Sequence, residues 1–347
     1  MTTSEVTKME QPGLTKVEGI RHFTPALLGG NALWVLLLNV GLVGVFQVLS
    51  RNGAFLNPAN VNSILISYSQ VLLLVFAQTM LLGAGQIDLS QGSTVVLSSV
   101  VSGMTLISVS QGGDPGAAMT LPILIAVVIA VGAAVGLING LLVGWLRINS
   151  LVATLGMLGI LLGAAQVITK GDNLFGVPLS IQSHFGMASL FGIPMPTVTS
   201  AAIVGLLWLH FRQGRFGIHT IAIGSSERAA VRNGISRTKH LVLLYTVAGA
   251  LCGIAGAFDL ARFTTTDIGG HTNDALASIS GAVIGGTSLF GGQPYFFGAV
   301  LGAMLGLILQ SGLVILNFPP FYQTIAIGMI LIIAVAVDSL KSQNAAR

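Results

Sequence analysis

Between Arg51 and Asp114 this chain carries a single charged residue, Asp88, with long apolar runs on either side. An ionised carboxylate in hydrocarbon costs several kcal/mol, so such groups face protein or water. Around it the chain reads Gly85-Gln86-Ile87-Asp88-Leu89-Ser90-Gln91-Gly92-Ser93. A polar, glycine-broken string between two apolar stretches predicts a helix interrupted inside a membrane. Irregular backbone is tolerated there only in protein or beside a water-filled cavity, and transporters build their pathways at such breaks.

The rest of the chain agrees with a membrane solvent. Of its 347 residues, 53% are hydrophobic and only 7% charged. A soluble domain carries about 25% charged residues. We expect an all-α integral membrane protein with one transmembrane domain, residues 25–340, between polar tails 1–24 and 341–347. The lone cysteine, Cys252, excludes an intrachain disulfide and a cysteine-based metal site. The histidines show no metal-ligand spacing. The leading tail shows no cleavage site and reads as a soluble extension before a retained helix.

Apolar stretches long enough to span predict helices near Leu27–Leu49, Asn62–Gly83, Gly92–Val109, Leu121–Leu146, Leu151–Thr169, Val198–Phe211, Leu241–Leu260, Ala275–Leu289, Pro294–Asn317 and Tyr322–Val337. The third and eighth are short and glycine-rich, and we expect them to be re-entrant or broken. With the N-terminus inside, the outer segments hold only Arg51, Lys170 and Arg262 of the 15 Lys and Arg residues. That bias places both termini in the cytoplasm. The net charge of +4 then reflects topology rather than nucleic-acid binding.

The chain also matches itself at a shift of about 170 positions, the range in which membrane repeats occur. Gly132-Ala133 falls on Gly302-Ala303, Gly136-Leu137-Ile138 on Gly306-Leu307-Ile308, Leu146 on Leu316 and Thr154 on Thr324. One residue further, Ala84-Gly85 falls on Ala255-Gly256 and Asp88 on Asp259. An odd number of spans between the copies makes the repeat inverted, so Asp259 is expected at a second break.

The longest polar stretch within the hydrophobic region, residues 212–240, contains a short helix candidate. Ser225 or Ser226 can cap it, Glu227 and Arg228 open it, Arg232 lies in its last turn and Gly234 can end it. Small Ala229 and Ala230 permit close approach by a partner. It reads either as a solvated connection or as a docking helix.

Together these strings resemble the permease subunits of bacterial ABC importers for ribose, xylose, galactose and related monosaccharides. Gly85–Ser93 is similar to the family's Gly-Gly-Ile-Asp-Leu-Ser-x-Gly-Ser. Asn139-Gly140-Leu141-Leu142-Val143, Ala153-Thr154-Leu155-Gly156, Arg215-Phe216-Gly217, Ala222-Ile223-Gly224, Glu227, Ala229-Ala230, Gly234-Ile235 and Gly285–Gly292 follow in the family's order. Three positions depart. Gln86 replaces a glycine, Asp259 stands where members carry a small or apolar residue, and Gln293-Pro294 follows the double glycine.

The resemblance implies a transport subunit without catalysis of its own, in the bacterial plasma membrane. Its expected partners are a cytoplasmic ATP-binding subunit, an extracytoplasmic sugar-binding protein and a second permease chain. It binds no cofactor itself; ATP and magnesium belong to the ATPase. No Lys-Ser/Thr follows the glycines of Gly285–Gly292, so this is not a nucleotide loop.

Candidate pathway residues are Gln86, Asp88, Ser90, Asn139, Thr154, Asp259, Arg262 and Thr287. Each also has a plainer reading. Asp88 can cap the Gly92 and Ser93 amides. Asn139 can bond between helices and Thr154 to its own helix. Asp259 and Arg262, three apart, can pair. Two other transport readings stand beside the sugar permease. One is an ABC permease for branched-chain amino acids or nucleosides; the other is an ion-coupled transporter that titrates Asp88.

Overall fold

Apolar runs this long must satisfy their backbone internally, and helices do so within one segment. The computed structural model describes residues 30–319 continuously, and Phe321, Tyr322, Ile325, Gly328, Met329 and Ile332 beyond them. The tails, the start of the first span and most of the tenth lie outside the described residues.

Helix α1 (Gly30–Leu49) leads through a 3-10 turn, Arg51–Leu56, to α2 (Pro58–Gly83). Asn57 caps α2 by accepting from the Ala59 amide, and Pro58 takes the first helical position, where no amide is needed. Then come α3 (Gln91–Ser110), α4 (Ala117–Gly144) and α5 (Ser150–Thr169), the last capped by Asn149. A single turn α6 (Leu179–Ile181) is followed by the two-residue strands β1 (Ser189–Leu190) and β2 (Ile193–Pro194). Their hairpin turns through Phe191 and Gly192, both at positive φ. Helix α7 (Met195–Gln213) leads from there to α8 (Arg215–Ser225), α9 (Glu227–Arg232), α10 (Arg237–Phe263), α11 (Asp274–Ile284) and α12 (Phe296–Ile315).

The protein is an all-α membrane protein. Seven of the described helices are long and apolar enough to cross a bilayer: α1 to α5, α10 and α12. Those seven, α7 and α11 account for the first nine expected spans. The third is not short: α3 has 20 residues, and the interruption precedes it. The eighth is short, since the 11 residues of α11 rise only about 16 Å.

Two three-helix units organise the core. Helix α2 packs against α10, α11 and α12, and α10 packs against α2, α3 and α4. The two central helices run antiparallel. Arg262, in the last turn of α10, donates to Ser63 and Ser67 near the start of α2. Tyr245, in the first half of α10, donates to the Ile87 carbonyl beyond the end of α2. The units α2–α4 and α10–α12 are thus inverted copies. The matched glycines Gly132 and Gly302 fall on the corresponding helices α4 and α12.

The Asp88–Asp259 match does not survive. Asp88 lies in the break after α2, whereas Asp259 lies inside α10, one turn before its end. The counterpart of the first break is the whole segment from Thr264 to Asn273.

Glycine lets these helices touch by backbone. A Cβ on Gly132 would overlap the Gly249 carbonyl, and one on Gly136 would overlap that of Tyr245. Gly281 and Gly302 make the same contact between α11 and α12. Without a hydrophobic drive between helices in lipid, such close approach supplies the packing.

Candidate functional site

Helix α2 stops because Gly85 turns left-handed, at φ +68°. The Gly85 amide donates to Leu82 and the Gln86 amide to Leu81, a Schellman ending that satisfies the last carbonyls. Seven residues of non-helical chain, Ala84 to Ser90, separate α2 from α3. Their polar backbone groups need partners that a helix would have supplied.

Side chains of α5 and α10, with Asp88 and the first residues of α3, supply them. Ser150 and Thr154, in the first turns of α5, accept from the Ile87 amide at 3.3 Å and the Leu89 amide at 3.0 Å. Tyr245 of α10 donates to the Ile87 carbonyl at 3.1 Å. Asp88 Oδ1 accepts from both the amide and the hydroxyl of Ser90, at 2.8 and 2.6 Å. Asn139 of α4 donates to the Ser90 hydroxyl at 2.9 Å. The Ser90 carbonyl in turn accepts from Thr94 and the Ser93 hydroxyl, starting α3.

Asp88, Ser90, Asn139 and Thr154 therefore form one buried network, each 2% exposed or less. The expected Asp88 cap differs in detail: the carboxylate closes a local turn on Ser90 and does not reach Gly92 or Ser93. Thr154 bonds its own helix through the Ser150 carbonyl and also serves the break. Gln86 stays outside the network, its side chain returning to the Ala84 carbonyl.

The starts of α3 and α11 meet. The Ser278 hydroxyl donates to Gln91 Oε1 at 2.5 Å, and Gln91 Nε2 donates to the Leu74 carbonyl midway along α2. The second break closes over this meeting point, with the His271 carbonyl packed on Gly92. His271 sits between two carboxylates: Nε2 is 3.2 Å from Asp259 and Nδ1 is 2.8 Å from Asp274. Gln70 of α2 lies 3.3 Å from the same Nδ1. An imidazole can donate from both nitrogens only when protonated, and it then has no lone pair for a metal. Among the described residues no His, Cys, Asp and Glu group has metal-binding geometry.

Asp259 and Arg262 do not form the ion pair that their spacing permits. Asp259 turns to His271, while Arg262 reaches Ser63 and Ser67 and stacks on Phe263 at 4.9 Å. Thr287 lies apart from both breaks. Its hydroxyl accepts from the Tyr295 amide and shapes the turn before α12.

The polar stretch forms two short helices. Ser226 caps α9, accepting from the Ala229 amide, while Ser225 ends α8. Gly234 at φ +83° closes α9 with a second Schellman ending. Glu227 pairs with Arg237 at 2.9 Å, and Arg237 also donates to the Val143 and Gly144 carbonyls at the end of α4. Ser226, Arg228, Ala229, Val231 and Arg232 stay exposed, and Ala230 faces inward.

Residues 60–335 match the family described as the branched-chain amino acid transport system / permease component. The chain belongs to that family. This permease is 34% identical over 303 residues to the ribose import permease protein of Bacillus subtilis (strain 168), covering 87% of this chain and 90% of that one. It is 31% identical to the D-allose transport system permease protein of Escherichia coli (strain K12), over the same shares. It is 30% identical to the galactose/methyl galactoside import permease protein of Haemophilus influenzae, over 91% of this chain and 95% of that one. No solved structure matches it.

Within the permease, the sequence-named residues thus divide. Asp88, Ser90, Asn139 and Thr154 converge on the first break, Asp259 belongs to the second, and Gln86, Arg262 and Thr287 join neither network. Tyr245, Ser150 and His271 were not foreseen. A tyrosine and a serine within apolar helices look like ordinary packing residues. His271 could have been found, because Asp259, Arg262, Asp267, His271 and Asp274 stand close together in a chain only 7% charged.

Proposed function

We propose that this permease forms half of the translocation pathway of an ABC importer for a monosaccharide or related polyol. Its relatives' names carry the reading: ribose, D-allose, L-arabinose and galactose permeases, each matched over most of both chains. Two permease chains would face one another in the bacterial plasma membrane, with both termini in the cytoplasm. A sugar-binding protein would deliver substrate from outside, and separate ATPase subunits would bind ATP and magnesium.

In this reading α9 is the docking helix. Its exposed face, from Ser226 to Arg232, sits on a base fixed by the Glu227–Arg237 pair and the Arg237 bonds to α4. The Asp88 break is the segment that responds. Acceptor-only Asp88 suits sugar hydroxyls once the break opens.

Sugar uptake into proteoliposomes holding permease and ATPase, with the sugar-binding protein supplied outside, tests this directly. Uptake should require ATP and survive an uncoupler; uptake that collapses with the uncoupler and ignores ATP would assign the ion-coupled mechanism. Glu227→Lys should reduce ATPase co-purification about tenfold by breaking the base of α9 and reversing its charge. Asp88→Asn keeps the acceptor oxygen for Ser90, so assembly should be normal while uptake drops about tenfold. Wild-type uptake in that variant would remove the charge from the transport role.

A further inference from the structure

We infer that Gly83, Gly224 and Gly292 form a backbone joint that carries motion of the α9 docking element to the Asp88 break, with Gly224 as its positioning residue. The inference rests on the proposed ABC mechanism and adds the route by which it reaches the pathway.

Three segments of chain meet at this point without side chains between them. Gly224 lies at the end of α8, directly before the two serines that lead into α9. A Cβ there would overlap the Gly83 carbonyl oxygen and lie 2.9 Å from the Gly292 amide nitrogen. The Gly292 amide itself donates to the Gly83 carbonyl at 3.3 Å. A Cβ on Gly291 would lie 2.6 Å from the Gly224 carbonyl. Gly85, the left-handed residue that ends α2, lies against Phe290 and Gly291.

The position of the joint gives it its consequence. Gly83 is the last residue of α2, just before the Schellman turn and the segment bearing Asp88. A backbone contact has no rotamers with which to absorb a displacement, and close-packed groups transmit strain. Displacement of α8 therefore pushes on the Gly83 carbonyl. The break must follow, exchanging its bonds to Ser150, Thr154 and Tyr245. A second link from α9, through Glu227 and Arg237, reaches α4 and α10, whose Asn139 and Tyr245 also bond the break; it leaves the Gly83 carbonyl untouched, so Gly224→Ala separates the two routes.

Gly224→Ala in the assembled permease–ATPase complex tests the joint, with Gly205→Ala as control. Gly205 is on α7, where a Cβ meets nothing. Hydrogen exchange is followed with and without a non-hydrolysable ATP analogue, and sugar transported per ATP is measured. In the wild type, nucleotide should alter exchange at both Ser225–Gly234 and Gln86–Ser90. Gly224→Ala should keep the ATPase bound and the response at Ser225–Gly234, lose the response at Gln86–Ser90, and transport about tenfold less sugar per ATP. The control should match the wild type. Unchanged coupling and an unchanged Gln86–Ser90 response in Gly224→Ala would overturn the joint. If that variant does not assemble, the wild-type exchange decides: a nucleotide response confined to Ser225–Gly234 overturns it. An ATPase that fails to bind the wild type overturns the importer reading and the joint together.

Discussion

The two breaks solve one problem by different chemistry. Each interrupts a unit where a central helix gives way to the next, and each must satisfy backbone away from water. The first break is held by hydroxyls and one amide: Ser150, Thr154, Tyr245, Ser90 and Asn139. Its single carboxylate has no cationic partner among the described residues. The second break is held by charge, with His271 between Asp259 and Asp274.

Their outside connections differ too. The first runs toward α8 through Gly83. The second runs to the chain beyond α5, where Leu174 and Thr266 exchange backbone and hydroxyl hydrogen bonds and Asn173 accepts from Ile268. A neutral network can trade one hydroxyl for another at little cost. A largely buried ion triad loses several kcal/mol when its central member leaves. The first break is therefore suited to rearrange and the second to hold its position.

The largest expected effect comes from removing the central cation. His271→Leu leaves buried Asp259 and partly exposed Asp274 without it and should lower stability by about 3 kcal/mol, read as thermal unfolding in detergent. A loss below about 1 kcal/mol would show that the second break is not held by charge. Thr154→Val keeps the shape of its side chain but leaves the Leu89 amide without its acceptor. It should cost about 1 kcal/mol in the same assay, with exchange at Leu89 accelerated. Equal losses in the two variants would abolish the contrast between the breaks.

The smallest effect lies in the loop joining α3 to α4. Hydrogen bonds from Ser180 and from the Gly116 amide hold the exposed Asp114 carboxyl below its usual range. A depressed carboxylate contributes stability above its unfolded pKa and loses it as pH falls through the lower folded value. Protease cleavage at this loop should stay constant from neutral pH down to the usual carboxylate range and rise as pH falls from that range toward the lower folded value. Asp114→Asn should remove that pH dependence.

Much of the fold was legible because hydropathy reports the membrane solvent directly. Span ends were found within a few residues: Asn62–Gly83 became Pro58–Gly83 and Leu151–Thr169 became Ser150–Thr169. The first break was legible from one charge and its flanking glycines. The second was mislocated because a matching aspartate was taken as the marker. Helix ends are set by where backbone hydrogen bonds change partner, and α10 runs unbroken past Asp259 to Phe263. The pairing of Asp259 was equally hidden. Spacing along a helix favours Arg262, but the loop folds His271 back onto it from twelve residues away. The glycine joint was invisible for the same reason: Gly83, Gly224 and Gly292 are far apart in sequence, and each alone reads as a helix end or a turn.

The seam between α4 and α10 has a consequence for biogenesis. Its two glycine faces are separated by the synthesis of α5 through α9, so α4 enters the bilayer long before its partner exists. Until α10 arrives, the Ile87 carbonyl lacks Tyr245 and the α4 glycines face lipid or a chaperone. The first unit can be inserted early but not finished, and the ribosome must release α10 before the Asp88 segment acquires its full set of bonds.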